Sequence, residues 1–169
     1  TEVKLPFFLP SMDKCKPKDS IKLLRWIKNH KSPEYRIEDK LDGISLLAIY
    51  KKDGVKLYTR GDGTGGQDIT HIAKYIKDMP SHKDIKETIA IRGELIMPID
   101  VFNKKYSKKS IGESGFKTGR NLIIGKVDRS FKQSERPPKE AERLLRENFK
   151  DVDFVAYEII GRNILPNPS

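Results

Sequence analysis

Cysteine is nearly absent: the 169 residues hold one, Cys15. A single cysteine forms no internal disulfide, which fits a reducing compartment, and it excludes a zinc site built from clustered thiolates. Nothing around Cys15 marks it as a nucleophile, so it reads as an ordinary thiol. Long apolar runs are also lacking. The longest, around residues 44–50, falls far short of the ~20 residues that a helical membrane span needs, and it reads as a strand. No signal-peptide pattern opens the chain, and Thr1 is not a start methionine, so a trimmed N-terminus is expected. There is no internal repeat and no low-complexity tract. Acidic residues are too few to balance the basic ones, 24 against 34, for a net charge of +10. Such an excess favours polyanionic partners, because each neutralised phosphate releases counterions. Plain solubility is the other reading.

What is present describes a soluble, surface-rich chain, 36% hydrophobic and 34% charged. It is long enough for one domain with a real core, or one domain and a small appendage. The lead-in, residues 1–16, carries Leu5-Pro6-Phe7-Phe8-Leu9-Pro10, whose prolines forbid a continuous helix and predict an extended, partly buried segment. An amphipathic helix follows over 18–30, with Ser20 as cap and Ile21, Leu23, Leu24 and Ile27 on one side. Period-2 alternation predicts strands at 35–40, with Tyr35 and Ile37 on one face, and at 44–50. Asp53-Gly54 marks a hairpin turn, and 55–59 returns. Residues 61–66 hold four glycines in six positions, a loop whose backbone N–H groups can approach a ligand closely. A short helix is expected over 69–76, with Asp68 near its start. A strand follows at 89–97, carried by Ile89, Ile91, Leu95 and Met97, and then a helix at 100–106. The basic stretch 104–120 reads as a mobile loop or a polyanion-facing surface, and 134–139 as a connector. A helix at 140–149 and a strand at 154–160 precede an aperiodic tail, 163–169. Hairpins mixed with short helices predict an α+β fold of antiparallel β-sheets with flanking helices.

Five segments carry candidate chemistry. The first is Glu38-Asp39-Lys40-Leu41-Asp42-Gly43. A lysine amine attacks phosphorus only when unprotonated, and a free lysine holds its proton to near pH ~10, so burial or neighbouring cations must help. A metal ion on a nucleotide could supply that charge, with Asp42 in its outer shell and Gly43 giving room for a sharp exit. A solvated hairpin lysine is the competing reading. The second segment is Thr59-Arg60-Gly61-Asp62-Gly63-Thr64-Gly65-Gly66-Gln67-Asp68-Ile69-Thr70, the third Ile91-Arg92-Gly93-Glu94-Leu95. The fourth is Gly119-Arg120-Asn121 with Gly125 downstream, the fifth Phe154-Val155-Ala156-Tyr157. Each alone is weak, since glycine loops are often mere turns and a strand tyrosine is usually core.

In this order, the five resemble the adenylation domain of NAD-dependent DNA ligases, within the covalent nucleotidyltransferase superfamily. K-x-D-G is shared across that superfamily, whereas the T-R-G-D-G-T-x-G-x-D-x-T stretch is characteristic of the NAD-dependent branch. Leu9-Pro10-Ser11-Met12-Asp13 is similar to the segment before that branch's first helix. The resemblance spans about residues 9–161 and implies a nucleotidyltransferase, ATP-grasp-like adenylation domain. It further implies that Lys40 becomes adenylylated, with Asp42 assisting, and that Glu38 reads the adenine amino group. Ser11, Met12 and Leu41 would line the nucleotide pocket, Arg60 would lie near the nucleotide, and Arg120 would be directed at the phosphates. Glu94 would hold the ribose or a magnesium ion, and Tyr157 would stack on adenine. Those roles suit the chemistry, since arginine pairs with phosphate and an aromatic face stacks on a base.

One stretch departs from the family. Its pattern near Arg120 is close to N-P-R-N-A-A-A-G-S, whereas Lys117-Thr118-Gly119-Arg120-Asn121-Leu122-Ile123-Ile124-Gly125-Lys126 replaces the small residues with bulkier ones. The family's NMN-binding domain, late nucleotidyltransferase motifs, OB-fold and C-terminal regions find no counterpart in residues 1–169, so a partial adenylation domain is expected. The resemblance implies NAD as AMP donor, magnesium, nicked double-stranded DNA as partner, and a monomer in the cytoplasm or at the nucleoid. The lysines of 104–109 would help hold the DNA backbone, an ordinary solvated loop being the alternative there. Two rivals remain at this point: an ATP- or GTP-dependent relative such as an RNA ligase or capping enzyme, and a nucleic-acid-binding module without catalysis.

Overall fold

The computed structural model describes residues 2–12, 14–16, 18–81, 83 and 87–162. Asp13 of the lead-in motif and the tail 163–169 lie outside the described residues. The chain divides into two units, one of Pro10–Lys40 and one of Thr1–Leu9 with Leu41–Ser169.

The larger unit is built around β2 (Ile44–Lys51), whose apolar, β-branched sequence suits a strand covered on both sides. A tight turn at Lys52 and Asp53 leads to β3 (Gly54–Thr59), with Lys51 opposite Gly54. With β5 (Ile89–Ile96) and β6 (Asp153–Arg162) these strands form one sheet in the order β3-β2-β5-β6, antiparallel throughout. Alternation sorts the β2 side chains. Leu46, Ala48 and Tyr50 enter the main core, while Leu47 and Ile49 enter a second cluster with Leu5, Leu9 and Ala90. The expected extended lead-in is therefore a lid on one sheet face, with Leu5 and Leu9 buried. Its first residues pair as β1 (Glu2–Lys4) with β4 (Gly65–Gln67), a ladder of three pairs. Neither strand was expected, because three residues carry too little periodicity to read.

Helices cover the other face. The expectation of a loop across 104–120 is overturned: α2 (Ile99–Lys105) and α3 (Lys108–Ile111) occupy its start, and α4 (Gly119–Ser134) begins within it. The caps explain the stops and starts. The Ser107 side chain accepts from the Ser110 N–H, and Thr118 accepts from the Asn121 N–H at 3.2 Å. Leu122, Ile123 and Val127 then bury one side of α4 in the core. The bulky residues that depart from the family pattern are thus core residues. The expected connector shrinks to 135–137, because α5 (Pro138–Phe149) opens with proline at a position where no N–H is needed. The helix expected at 69–76 is a 3-10 turn over Thr70–Tyr75, with the Thr70 N–H donating to Asp68 at 2.9 Å.

Polar interlocks hold α4. Lys126 is buried and donates to the Asn148 carbonyl at 2.6 Å, and the Asn148 amide donates to the Lys126 carbonyl at 2.9 Å. Burial, with Arg129 adding to it, pulls the Lys126 ammonium below its ordinary value. His71 Nε2 meets Ser130 Oγ at 2.8 Å.

In the smaller unit, α1 (Ser20–Asn29) forms as expected, but Asp19 rather than Ser20 holds the cap position and makes no side-chain cap bond. None of its residues is buried. The strand expected at 35–40 is absent. Alternation alone does not make a strand without a ladder partner, and Ile37 is 93% exposed.

Two outcomes are expected. Phe149 is fully buried, so Phe149→Ala should lower unfolding free energy by about 3–5 kcal/mol, read from urea denaturation. Burial holds the His71 imidazole below its usual value, partly offset by Asp68. A depressed histidine stabilises fully above the free value of ~6.5 and loses that contribution as pH falls through it. The thermal midpoint should therefore drop from about pH 6.5 towards 5, and His71→Gln should flatten that slope.

Candidate functional site

The K-x-D-G segment ends where β2 begins, and Gly43 is required there. A Cβ on it would run into the Leu95 carbonyl oxygen of β5. Two residues on, Ser45 lies opposite Glu94 in the β2–β5 register. A β-bulge then brings in Tyr157. In the β5–β6 ladder Gly93 pairs with Ala156 and Arg92 with Glu158, so Tyr157 is the extra residue. Its hydroxyl lies 3.1 Å from Ser45 Oγ and donates to Glu94 Oε2 at 3.5 Å. Arg92, buried among them, sets its guanidinium 5.8 Å from the Tyr157 ring centre and pairs with Glu158 at 3.6 Å. Of Ile91-Arg92-Gly93-Glu94-Leu95, only Glu94 is a site candidate from sequence, and the structure adds Arg92 to the cluster. The signal for Arg92 was a charged residue within an apolar strand.

The glycine-rich loop is ordered by its own aspartate. Asp62 Oδ1 accepts from the Thr64 N–H, the Thr64 hydroxyl and the Gly65 N–H, each at 2.8 Å. Those donors, Gly65 first, hold its carboxyl down at about 2. Gly63 has φ of 103° and faces the Leu9 carbonyl so closely that a Cβ would collide. The lead-in runs along the loop, with Leu5 N–H donating to Thr64 at 2.8 Å and Leu9 N–H to Gly63 at 2.9 Å. Arg60 Nε donates to the Leu9 carbonyl at 3.0 Å, and the Arg60 N–H reaches the Ser45 carbonyl at 2.9 Å. The ordering carboxylate and the contacts of Leu5 and Leu9 with the loop were not foreseen.

Arg60 and Arg120 share a cavity of about 220 Å³ that Ser45, Gln67, Ile124 and Asp128 also line. Arg120 comes from the first turn of α4, and Arg60 from the residue after β3. The cavity is smaller than the ~300–1,000 Å³ of typical ligand pockets, so in this unit it accounts for part of a ligand. Ser45 joins it to the Tyr157–Glu94 pair.

Within Pro10–Lys40, Ser11, Met12, Glu38 and Lys40 are all exposed. Glu38 pairs with Arg36 at 2.6 Å. Exposed pairs of this kind contribute about 0–1 kcal/mol. Leu41 is half-buried and Asp42 exposed. Among the described residues no three His, Cys, Asp or Glu side chains gather into a metal cage, and no helix is long and apolar enough to cross a membrane.

A sequence model of the family NAD-dependent DNA ligase adenylation domain matches residues 11–149. The chain is similar, at 39% identity over 163 residues, to a protein named DNA ligase from Acanthamoeba polyphaga mimivirus, covering 96% of this chain and 23% of that one. It is 35% identical over 162 residues to a protein named putative DNA ligase 205R from Invertebrate iridescent virus 6, covering 95% and 23%. A DNA ligase of Corynebacterium urealyticum is 32% identical over 136 residues, covering 76% of this chain and 18% of its own. The chain therefore spans less than a quarter of the length of these relatives.

The three bonds on Asp62 set an expectation for the loop. The order it lends is complete above the ordinary carboxylate range near ~4 and is lost as pH falls towards about 2. At neutral pH, Asp62→Ala should speed amide hydrogen exchange at Thr64 and Gly65 while leaving exchange in β2 and β5 unchanged.

Proposed function

The chain belongs to the NAD-dependent DNA ligase adenylation domain family, and we propose that it performs the first chemical step of nick sealing with Lys40 as nucleophile. The unprotonated Lys40 amine attacks the α-phosphorus of NAD. The bond to nicotinamide mononucleotide breaks, that group leaves, and AMP remains on Lys40 through a phosphoramide bond. The AMP is destined for a DNA 5′-phosphate, from which the 3′-hydroxyl displaces it.

The observation that carries this reading is the cavity shared by Arg60 and Arg120. Two guanidinium groups on one small cavity make a phosphate site, since each can donate in paired fashion to phosphate oxygens. Ser45 and the bonded pair Tyr157 and Glu94 adjoin it. On this reading Tyr157 stacks on adenine, Glu38 accepts from its exocyclic amine, and Ser11, Met12 and Leu41 line the base. Glu94 holds the ribose or contacts magnesium, with Asp42 in the outer shell. Magnesium takes one or two carboxylates alongside waters and substrate phosphates, so the lack of a three-residue cage among the described residues suits it. When bound it would neutralise phosphate charge. Positive charge around the bound nucleotide would favour the free amine of Lys40.

We read residues 1–169 as part of an adenylation domain, acting as a monomer on nicked DNA inside the cell. Of the lysines at 104–109, Lys105 is committed to Asp151 at 2.9 Å, which leaves Lys104, Lys108 and Lys109 for the DNA backbone.

Intact-mass measurement with magnesium and either NAD or ATP tests the chemistry. One added AMP is expected from NAD, and none in Lys40→Ala. An adduct from ATP alone would move the chain to the ATP-dependent branch, and an adduct that persisted in Lys40→Ala would remove the assignment of the nucleophile. Arg120→Ala should slow AMP transfer by roughly 10²-fold or more, the usual cost of losing one donor aimed at developing charge.

A further inference from the structure

One groove that the proposed chemistry leaves unexplained belongs to the smaller unit. It has a volume of about 620 Å³ and runs along α1, lined by Lys18, Lys22, Arg25, Trp26, Asn29 and His30 among others. Lys22 and Arg25 stand three apart on one side of α1, and Lys18 lies in the turn just before the helix, so the three form a basic stripe along the groove beside Asp19. Helix α1 contains no acidic residue. Among the described residues none of the three cations forms an ion pair. Elsewhere the pattern differs: on α5, Arg146 pairs with Glu142 and Lys150 pairs with nearby Glu147.

The three cations outnumber Asp19, the carboxylate that lines the groove with them, and like charges so placed repel one another. A line of phosphates would relieve that repulsion. Lys22 and Arg25 lie on the order of 5 Å apart at helical rise, with Lys18 beyond the helix start, a spacing on the scale of the phosphate steps of a B-form strand at ~3.4 Å each. The helix end beside them is braced. Trp26 stacks on His30 with ring centres 5.1 Å apart, and the Tyr35 hydroxyl donates to the His30 carbonyl at 2.7 Å. Lys22 is steadied by its 2.6 Å bond to the Lys14 carbonyl. A braced row of cations suits an extended polyanion better than a compact anion, which calls for donors that converge.

We propose that this stripe is a docking surface for the phosphodiester backbone of duplex DNA. It is separate from the lysines at 104–109 and from the residues proposed to handle the nucleotide. The inference rests on the reading of nicked DNA as substrate.

Its test is a salt titration of binding to a nicked DNA duplex without nucleotide. Wild type would be compared with Lys18→Ala/Lys22→Ala/Arg25→Ala and with a control, Lys139→Ala/Arg143→Ala, on the exposed side of α5. Each lost phosphate contact should lower the slope of log K against log salt by about 1, so the α1 variant should lose about 2–3 and the α5 control less than 1. An unchanged slope in the α1 variant would overturn the proposal. So would equal losses in both variants, which would mean that only net charge matters. Mass-detected AMP transfer from NAD to Lys40, run on the same α1 variant, should match wild type. A failure of AMP transfer in wild type would count against the nucleotidyl-transfer reading, while the binding arm would still judge the stripe.

Discussion

The architecture depends on β2, which is paired along both edges and covered on both faces. Residues Leu46–Tyr50 are at most 2% exposed, and hydrogen-bonded ladders tie them to β3 and β5. A slip by one residue would exchange the faces, carrying Leu46, Ala48 and Tyr50 out of the main core and Leu47 and Ile49 into it. The register is therefore fixed by burial, and the site inherits that fixity. Ser45 stands opposite Glu94 and Leu47 opposite Arg92, and the backbone of Arg60 is tied to Ser45. The polar residues lie where the strand leaves its apolar stretch, so positions meant for a ligand share a frame that packing has already determined.

That frame is regular, and the site needs one irregularity. In an unbroken β5–β6 ladder, each residue would have one partner. The bulge sets both Tyr157 and Glu158 against Arg92, which lets one buried guanidinium face a tyrosine ring and a carboxylate together. Bulges locally disrupt a ladder and often lie beside active sites. Here the disruption accompanies a polar cluster, Ser45, Arg92, Glu94, Tyr157 and Glu158, at the margin of a hydrophobic sheet.

The hairpins were legible because two signals agreed, period-2 apolar alternation and an Asp-Gly turn. Most of helix α4 went unread for the opposite reason. Its polar face is rich in charge, Gly119 and Gly125 weaken its propensity, and the basic stretch before it looked like loop. Its real markers were Thr118 as cap and the spacing of Leu122, Ile123 and Val127. Residues 35–40 were misread because alternation is local, whereas a strand needs a partner that no local pattern reveals. Candidate residues from five segments could be named from motifs, yet a linear motif cannot express a register. Ser45 as the link to Tyr157 and Asp62 as the fastening of the glycine loop follow only from geometry. The same holds for Arg92, which a motif displays without saying that a bulge gives it two partners.

Charge shows the same division between composition and arrangement. A net +10 says that anions are welcome and nothing about where. Pairing supplies the location. Arg92 meets Glu158, Lys105 meets Asp151, Arg146 meets Glu142 and Lys150 meets Glu147, and each such cation is largely spent on its own surroundings. Lys126 is spent differently, buried against the Asn148 carbonyl where it locks two helices. The excess that gives the chain its charge must then reside on the remaining cations. Among them are Lys104, Lys108 and Lys109, and the cations of the α1 groove, Lys18, Lys22 and Arg25, all exposed. Exposed cations lose little by staying solvated, so they contribute little to folding and act chiefly through the field that they present to solution.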